Sequence, residues 1–173
     1  MLPPIRRSWA LRGHPPVLLY KSGHREKVSI VAAFCLTPGC DRLGLAYQTL
    51  KNGYFDNRGV AVFLERLLAE VGALIVIWDG GSMHKGDPIR HLEHRSRGRL
   101  IIEPLPAQAA ELMPVEQLWM WLKHGQLCNF APENATQLER LARQRLRTIG
   151  KDEQMLRRLF QASALPAPRA LLR

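Results

Sequence analysis

The sequence predicts an α/β fold, a mixed sheet with helices on both faces followed by a helical tail. Three observations carry this reading. Short runs of β-branched and apolar residues alternate with longer segments whose apolar residues recur at helical spacing. Gly, Pro, Asn and Asp cluster at the junctions. One run, LIVIW at 74–78, is too short for a helix and too apolar for an exposed strand, so a buried strand is expected there.

KVSIVAAFCL (27–36) is the first strand, and LGLAYQTL (43–50) returns from the turn TPGCDRLG. VAVFLERLLAEVG (60–72) places Val60, Phe63, Leu64, Leu67, Leu68 and Val71 at helical spacing, with Asp56 or Asn57 as N-cap. After LIVIW, DPIRHLEHRS (87–96) reads as a short polar helix and RLIIEPLP (99–106) as a strand ended by prolines. PVEQLWMWLKHG (114–125) is a helix with proline at its first position and glycine at its end. Two helices make the tail, one over about 134–149 and one from Asp152, separated by a stop at Gly150. Residues 1–132 form the expected domain, and 133–173 its basic helical extension.

The length, 173 residues, suits one domain, and 46% apolar residues argue against disorder. No apolar run approaches the roughly 18 residues of a membrane span. MLPPIRRSWALRG has no apolar stretch of signal-peptide length, so a cytoplasmic protein is expected. The formal net charge is +10, and 19 of the 25 basic residues are arginine, whose planar fork suits phosphate oxygens. Nucleic acid is therefore the first partner to consider, against the plain alternative of an arginine-rich soluble protein. Cys35, Cys40 and Cys128 are odd in number and lack CxxC spacing, which argues against disulfides or zinc.

Asp79 ends LIVIW and is followed by Gly80 and Gly81, so the strand delivers a carboxylate to one sheet edge. With Met113 as N-cap and Pro114 at the first helical position, Glu116 falls third. There the helix dipole favours its charge and its side chain can fold back on the cap. Taken alone it is a capping glutamate. Taken with Asp79 it can share a hard divalent cation, which accepts carboxylate oxygens and substrate phosphates.

WDGGSMHKG, followed by LPAQAAELMPVEQLWMWLK, resembles the DDE transposases of bacterial insertion sequences in the mariner superfamily. Their usual text is a strand ending in D-N/G-x-x-x-H, then L-P-x-Y-x-P-E-L-N-P-x-E-x-x-W-x-x-L-K. RRSWALRGHPPVL (6–18) resembles the segment after that family's first catalytic acid, and the likeness runs from about residue 3 to 161. The resemblance implies an RNase H-like domain that cuts double-stranded DNA and joins its 3′ ends with Mg²⁺ or Mn²⁺. It implies a homodimer in the DNA complex, no membrane and no small-molecule substrate. Asp79 and Glu116 match the second and third acids, and so the metal ligands. His84 matches the motif histidine; it either touches the scissile phosphate or orients Asp79, or it is a surface histidine capping the next helix. Lys123 matches the closing lysine, either a DNA contact or an exposed helix residue. Trp119 is expected in the core, and Trp121, two positions on, faces elsewhere.

The chain departs from that pattern. Met1 stands eight positions before Trp9, so the family's first, central strand and its aspartate are expected to be missing, together with the helix-turn-helix region. Asp41, in a turn, and Asp56, at a helix start, do not match the absent acid. Met113 replaces a capping Asn, at a typical cost of about 1 kcal/mol; Gln108 replaces a Tyr and Ala110 a Pro. From Leu138 to Arg173, eight arginines and one lysine outweigh Glu139, Asp152 and Glu153 by a net +6. Arg140, Arg143 and Arg147 should share one helix face toward DNA, with Leu138, Leu141 and Ile149 turned to the core. The reading is a transposase catalytic domain, truncated and inactive alone. The alternatives are a non-catalytic basic DNA-binding remnant and an unrelated α/β protein whose two acids are structural.

Overall fold

In the computed structural model, which describes residues 4–7, 9–19 and 26–172, β1 (Val28–Leu36) and β2 (Leu43–Lys51) form an antiparallel hairpin. Strand alternation sorts its side chains to two faces. Ile30, Ala32 and Phe34 of β1, with Leu45 and Tyr47 of β2, pack on one hydrophobic cluster. Val31, Ala33 and Ala46 pack on another.

The second cluster is built by α1 (Asn57–Val71), β3 (Leu74–Trp78), α2 (Asp87–Arg95) and β4 (Leu100–Pro104). Asp56 caps α1, its carboxylate accepting from the Gly59 N–H at 2.8 Å. Val60, Phe63, Leu64, Leu67 and Leu68 are buried as their spacing predicts, but Val71 is exposed where the helix ends. The first cluster is closed by α3 (Pro114–Met120), a π-helical continuation over Trp121–Gln126, α4 (Ala135–Gly150) and α5 (Glu153–Gln161). Asn134 and Asp152 cap α4 and α5 by accepting from Gln137 and Met155 N–H groups, each at 2.9 Å. Gly150 does not stop α4 but is its last residue, with Lys151 as the C-cap.

Two expectations need correction. The strands form not one mixed sheet but two sheets of two strands, β1–β2 antiparallel and β3–β4 parallel. Among the described residues no strand bridges them, and a strand pairs only where another offers its backbone N–H and C=O groups. LIVIW is also not buried on both faces. Leu74, Val76 and Trp78 meet the second cluster, whereas Ile75 and Ile77 are 68% and 55% exposed, and Ile101, opposite Ile75, is 45% exposed. Helices cover one face of this small sheet only.

A polar clamp ties α5 to the hairpin turn. Arg157 donates to the Glu153 carboxylate from Nε at 3.2 Å and Nη2 at 2.7 Å, and to the carbonyls of Asp41 and Leu171. The Arg157 guanidinium holds the Glu153 carboxyl below its ordinary range, and the Thr37 hydroxyl does the same for Asp41. A carboxylate whose pKa is lower in the fold than in the unfolded chain stabilises the fold at neutral pH. That contribution is lost as pH falls through the lowered value. The melting midpoint should therefore drop below about pH 4, and Glu153→Gln should lower it at neutral pH while flattening the acid limb. Thermal denaturation followed by circular dichroism from neutral to about pH 3 reads this. Identical acid limbs in both proteins would show that the clamp carries no pH-dependent stability.

Candidate active site

Burial of Trp78, the last residue of β3, fixes where the chain leaves the sheet, and Asp79 is the next residue. Its carboxylate is 55% exposed yet held. Oδ1 accepts from the Gly81 N–H at 2.8 Å and lies 2.9 Å from His84 Nδ1. A Cβ on Gly81 would fall 2.9 Å from that same oxygen, so glycine is what allows the turn to close over the carboxylate. The 3₁₀ turn Ser82–His84 brings the imidazole back onto the Trp78 indole, the rings stacked at 4.4 Å between centroids and 3° apart. His84 Nδ1 also lies 3.1 Å from the Asp79 carbonyl. Both neighbours of Nδ1 are acceptors, which places the proton on Nδ1. The indole fixes the ring plane and the ring fixes the carboxylate.

The rest of the loop is stitched to α1. Asn57 Nδ2 donates to the Lys85 carbonyl at 3.1 Å, and Gly86, at φ +113°, has no room for a side chain beside Asn57. The Lys85 ammonium stands 3.7 Å from where a Cβ on Gly80 would lie, so the same turn also carries a positive charge.

Glu116 lies in the first turn of α3 and is exposed. It does not fold back on a cap: Met113 makes no capping bond, and the Met113 N–H already donates to the Ala110 carbonyl at 3.0 Å. The helix start is steadied instead by the Ala164 N–H donating to the Glu111 carbonyl at 2.8 Å and by the buried Leu118 and Leu122. At 100° per residue, Trp119 and Trp121 flank that leucine ridge on opposite sides, and both pack partly on the first cluster, Trp121 as well as Trp119. Lys123 is exposed on the π-helical turn. Arg140, Arg143 and Arg147 are exposed on α4, while Leu138, Ala142, Leu146 and Ile149 are buried beneath them; Leu141 is only half-buried.

Among the described residues, no group of three His, Cys, Asp or Glu side chains is placed to hold a metal ion. Asp79, His84 and Glu116 thus do not make a complete cation site together. Carboxylate oxygens suit a hard cation in kind, but two carboxylates fall short in number. Asp41 and Asp56 are committed elsewhere, Asp41 to Thr37 and Asp56 to the α1 cap. Sequence reasoning singled out Asp79, Glu116, His84 and the Gly80–Gly81 pair, but gave no part in this loop to Trp78, Lys85 or Asn57. The one available signal was the order of residues, an aromatic directly before the acid and a histidine five positions after it.

A held, strand-end acid beside a glycine turn, in an α/β chain of net charge +10, has the features of a protein that works on a polyanion. The chain matches the DDE superfamily endonucleases over residues 3–139 and belongs to that family. The superfamily acts on DNA and generally uses divalent metal ions. The match includes both acids and the whole 79–86 loop. None of the curated proteins compared with the chain matches it. Among the described residues no helix is long and apolar enough to cross a membrane.

Proposed function

We propose that the chain is the catalytic domain of an insertion-sequence transposase of the mariner type, in which Asp79 and Glu116 are two of three metal-binding acids. The observation that carries this is the seat of Asp79. It follows directly on β3 and is oriented by Gly81, His84 and the Trp78 stack, within a chain of the DDE endonuclease family. In this reading the fold is RNase H-like, with the gap between β1 and β3 as the place of its central strand. Residues 1–132 form the catalytic domain and 133–173 its extension. The partner is double-stranded DNA, bound by a homodimer through Lys123 and the α4 arginines, and the ion is Mg²⁺ or Mn²⁺.

His84 acts here as a positioning residue, because its Nδ1 contacts are to Asp79 itself. The bound ion would supply charge stabilisation at the transferred phosphate. The third acid has to come from outside the described residues, so the domain does not cut DNA alone. That same shortage favours a second reading, a basic DNA-binding remnant without catalysis.

Mn²⁺ binding separates the two. Titration followed by electron paramagnetic resonance should show weak binding by the wild type. Asp79→Asn and Glu116→Gln should each reduce the bound fraction several-fold, since each removes one of the few anionic oxygen ligands. Binding that neither substitution changes would remove the metal role of this pair and leave the remnant reading.

A further inference from the structure

The segment from Pro4 to Leu19 lies outside both hydrophobic clusters. Among its described residues Ile5, Leu11, Val17 and Leu19 are exposed, and the Trp9 side chain is fully bare at 101%. Arg6, Arg7, Arg12 and His14 are interleaved with them, and residues 1–19 contain no acid. The root of the segment is nevertheless fixed. Asn129, at φ 55°, donates its backbone N–H to the Pro4 carbonyl at 3.0 Å and its Nδ2 to the Arg6 carbonyl at 3.0 Å. The Arg6 N–H donates to Asn129 Oδ1 at 2.9 Å. Asn129 comes three residues after the π-helical end of the helix whose first turn carries Glu116. Trp9 comes three residues after Arg6, so an extended chain keeps it within roughly 10 Å of that anchor.

A bare indole on an anchored arm calls for a partner with a flat apolar face, and the arginines around it call for an anion. A second copy of the chain could offer the first but not the second, since each copy carries +10 and the two repel. Nucleic acid offers both. Bases inside a duplex are already stacked on each other, whereas an unpaired base has a free face for an aromatic side chain.

We propose that the anchored arm Pro4–Leu19 binds nucleic acid, with Trp9 stacking on an unpaired base and Arg6, Arg7 and Arg12 holding the flanking phosphates. This rests on the DNA reading above and adds to it a preference for ends, overhangs or opened strands over intact duplex.

The test is fluorescence anisotropy with three labelled probes of about 20 nucleotides per strand, a single strand, a blunt duplex and a duplex with a 3′ overhang. Trp9→Ala should weaken the single-strand and overhang probes at least about fivefold while leaving the blunt duplex within about twofold, and Trp9→Phe should retain most of the affinity. Circular dichroism of Trp9→Ala should be unchanged, because the indole packs on nothing in the fold. Equal affinity of wild type and Trp9→Ala for every probe would overturn the arm's role while blunt-duplex binding keeps the DNA reading alive. Wild type that binds no probe would overturn both. A loss of self-association in sedimentation, with nucleic-acid affinity unchanged, would show that the arm docks on a second copy instead.

Discussion

Supercoiled plasmid incubated with the 173-residue chain and Mn²⁺ should remain supercoiled. Ions that activate one oxygen and stabilise another need enough carboxylate ligands to fix their positions. Here Asp79 is held and Glu116 is exposed, but among the described residues no three such side chains come together. Among the described residues β1 pairs only with β2 and β3 only with β4, which leaves room in the proposed fold for a strand between the two sheets. A form of the protein extended ahead of Met1 by a strand-forming segment that carries an aspartate should close that gap and nick the plasmid. Asp79→Ala in the extended form should then lose roughly a hundredfold or more of the rate, since metal ions contribute several kcal/mol of transition-state stabilisation. Nicking by the unextended chain that disappears in Asp79→Ala would mean that a third acid is already supplied. Asp41, Asp56 or a second copy would then have to be tested in turn.

The second large effect is electrostatic. Arg140, Arg143 and Arg147 are exposed along one side of α4, and among the described residues only Arg143 forms an ion pair, with Glu139 at 4.0 Å. An exposed ion pair at that distance leaves the guanidinium free to change partner. If all three reach phosphates, binding of a non-specific duplex should fall steeply with salt. Replacing all three with Ala should then flatten the log–log slope by roughly 2.7, about 0.9 for each phosphate no longer neutralised. Anisotropy titrations across a series of salt concentrations read the slope directly. A slope that the triple substitution leaves unchanged would make α4 a solvated face and move the DNA surface elsewhere, with Lys123 and the arm as the next candidates.

Much of this was legible because it is local. The Asp56, Asn134 and Asp152 caps, the buried stripe of α1 and both tail helices follow from spacing and side-chain chemistry within a few residues. Asp79 was legible for the same reason, as an acid placed where an apolar run stops. Pairing and coverage were not. Whether β1 and β3 share a sheet depends on what comes to lie beside each of them, and no pattern inside either strand records its neighbour. Ile75 and Ile77 read as buried because an apolar run shows what could be covered, not whether a second layer arrives. The Glu116 cap failed on a competitor, the Ala110 carbonyl, which had already taken the Met113 N–H. The Trp78–His84 stack depends on the path of the 3₁₀ turn, which spacing does not fix.

The bare face of β3–β4 bears on how long such a chain survives in a cell. Ile75, Ile77 and Ile101 form an apolar patch beside an open strand edge, relieved on that face by Glu103 opposite Ile77. Chaperones and proteases select chains on such features, and their triage sets how much of a marginal protein accumulates. With that face and edge uncovered, the domain would be cleared quickly or drawn into aggregates. With a layer or strand laid over them, the same isoleucines would no longer be a target. Whatever covers this face would then set how much of the protein accumulates.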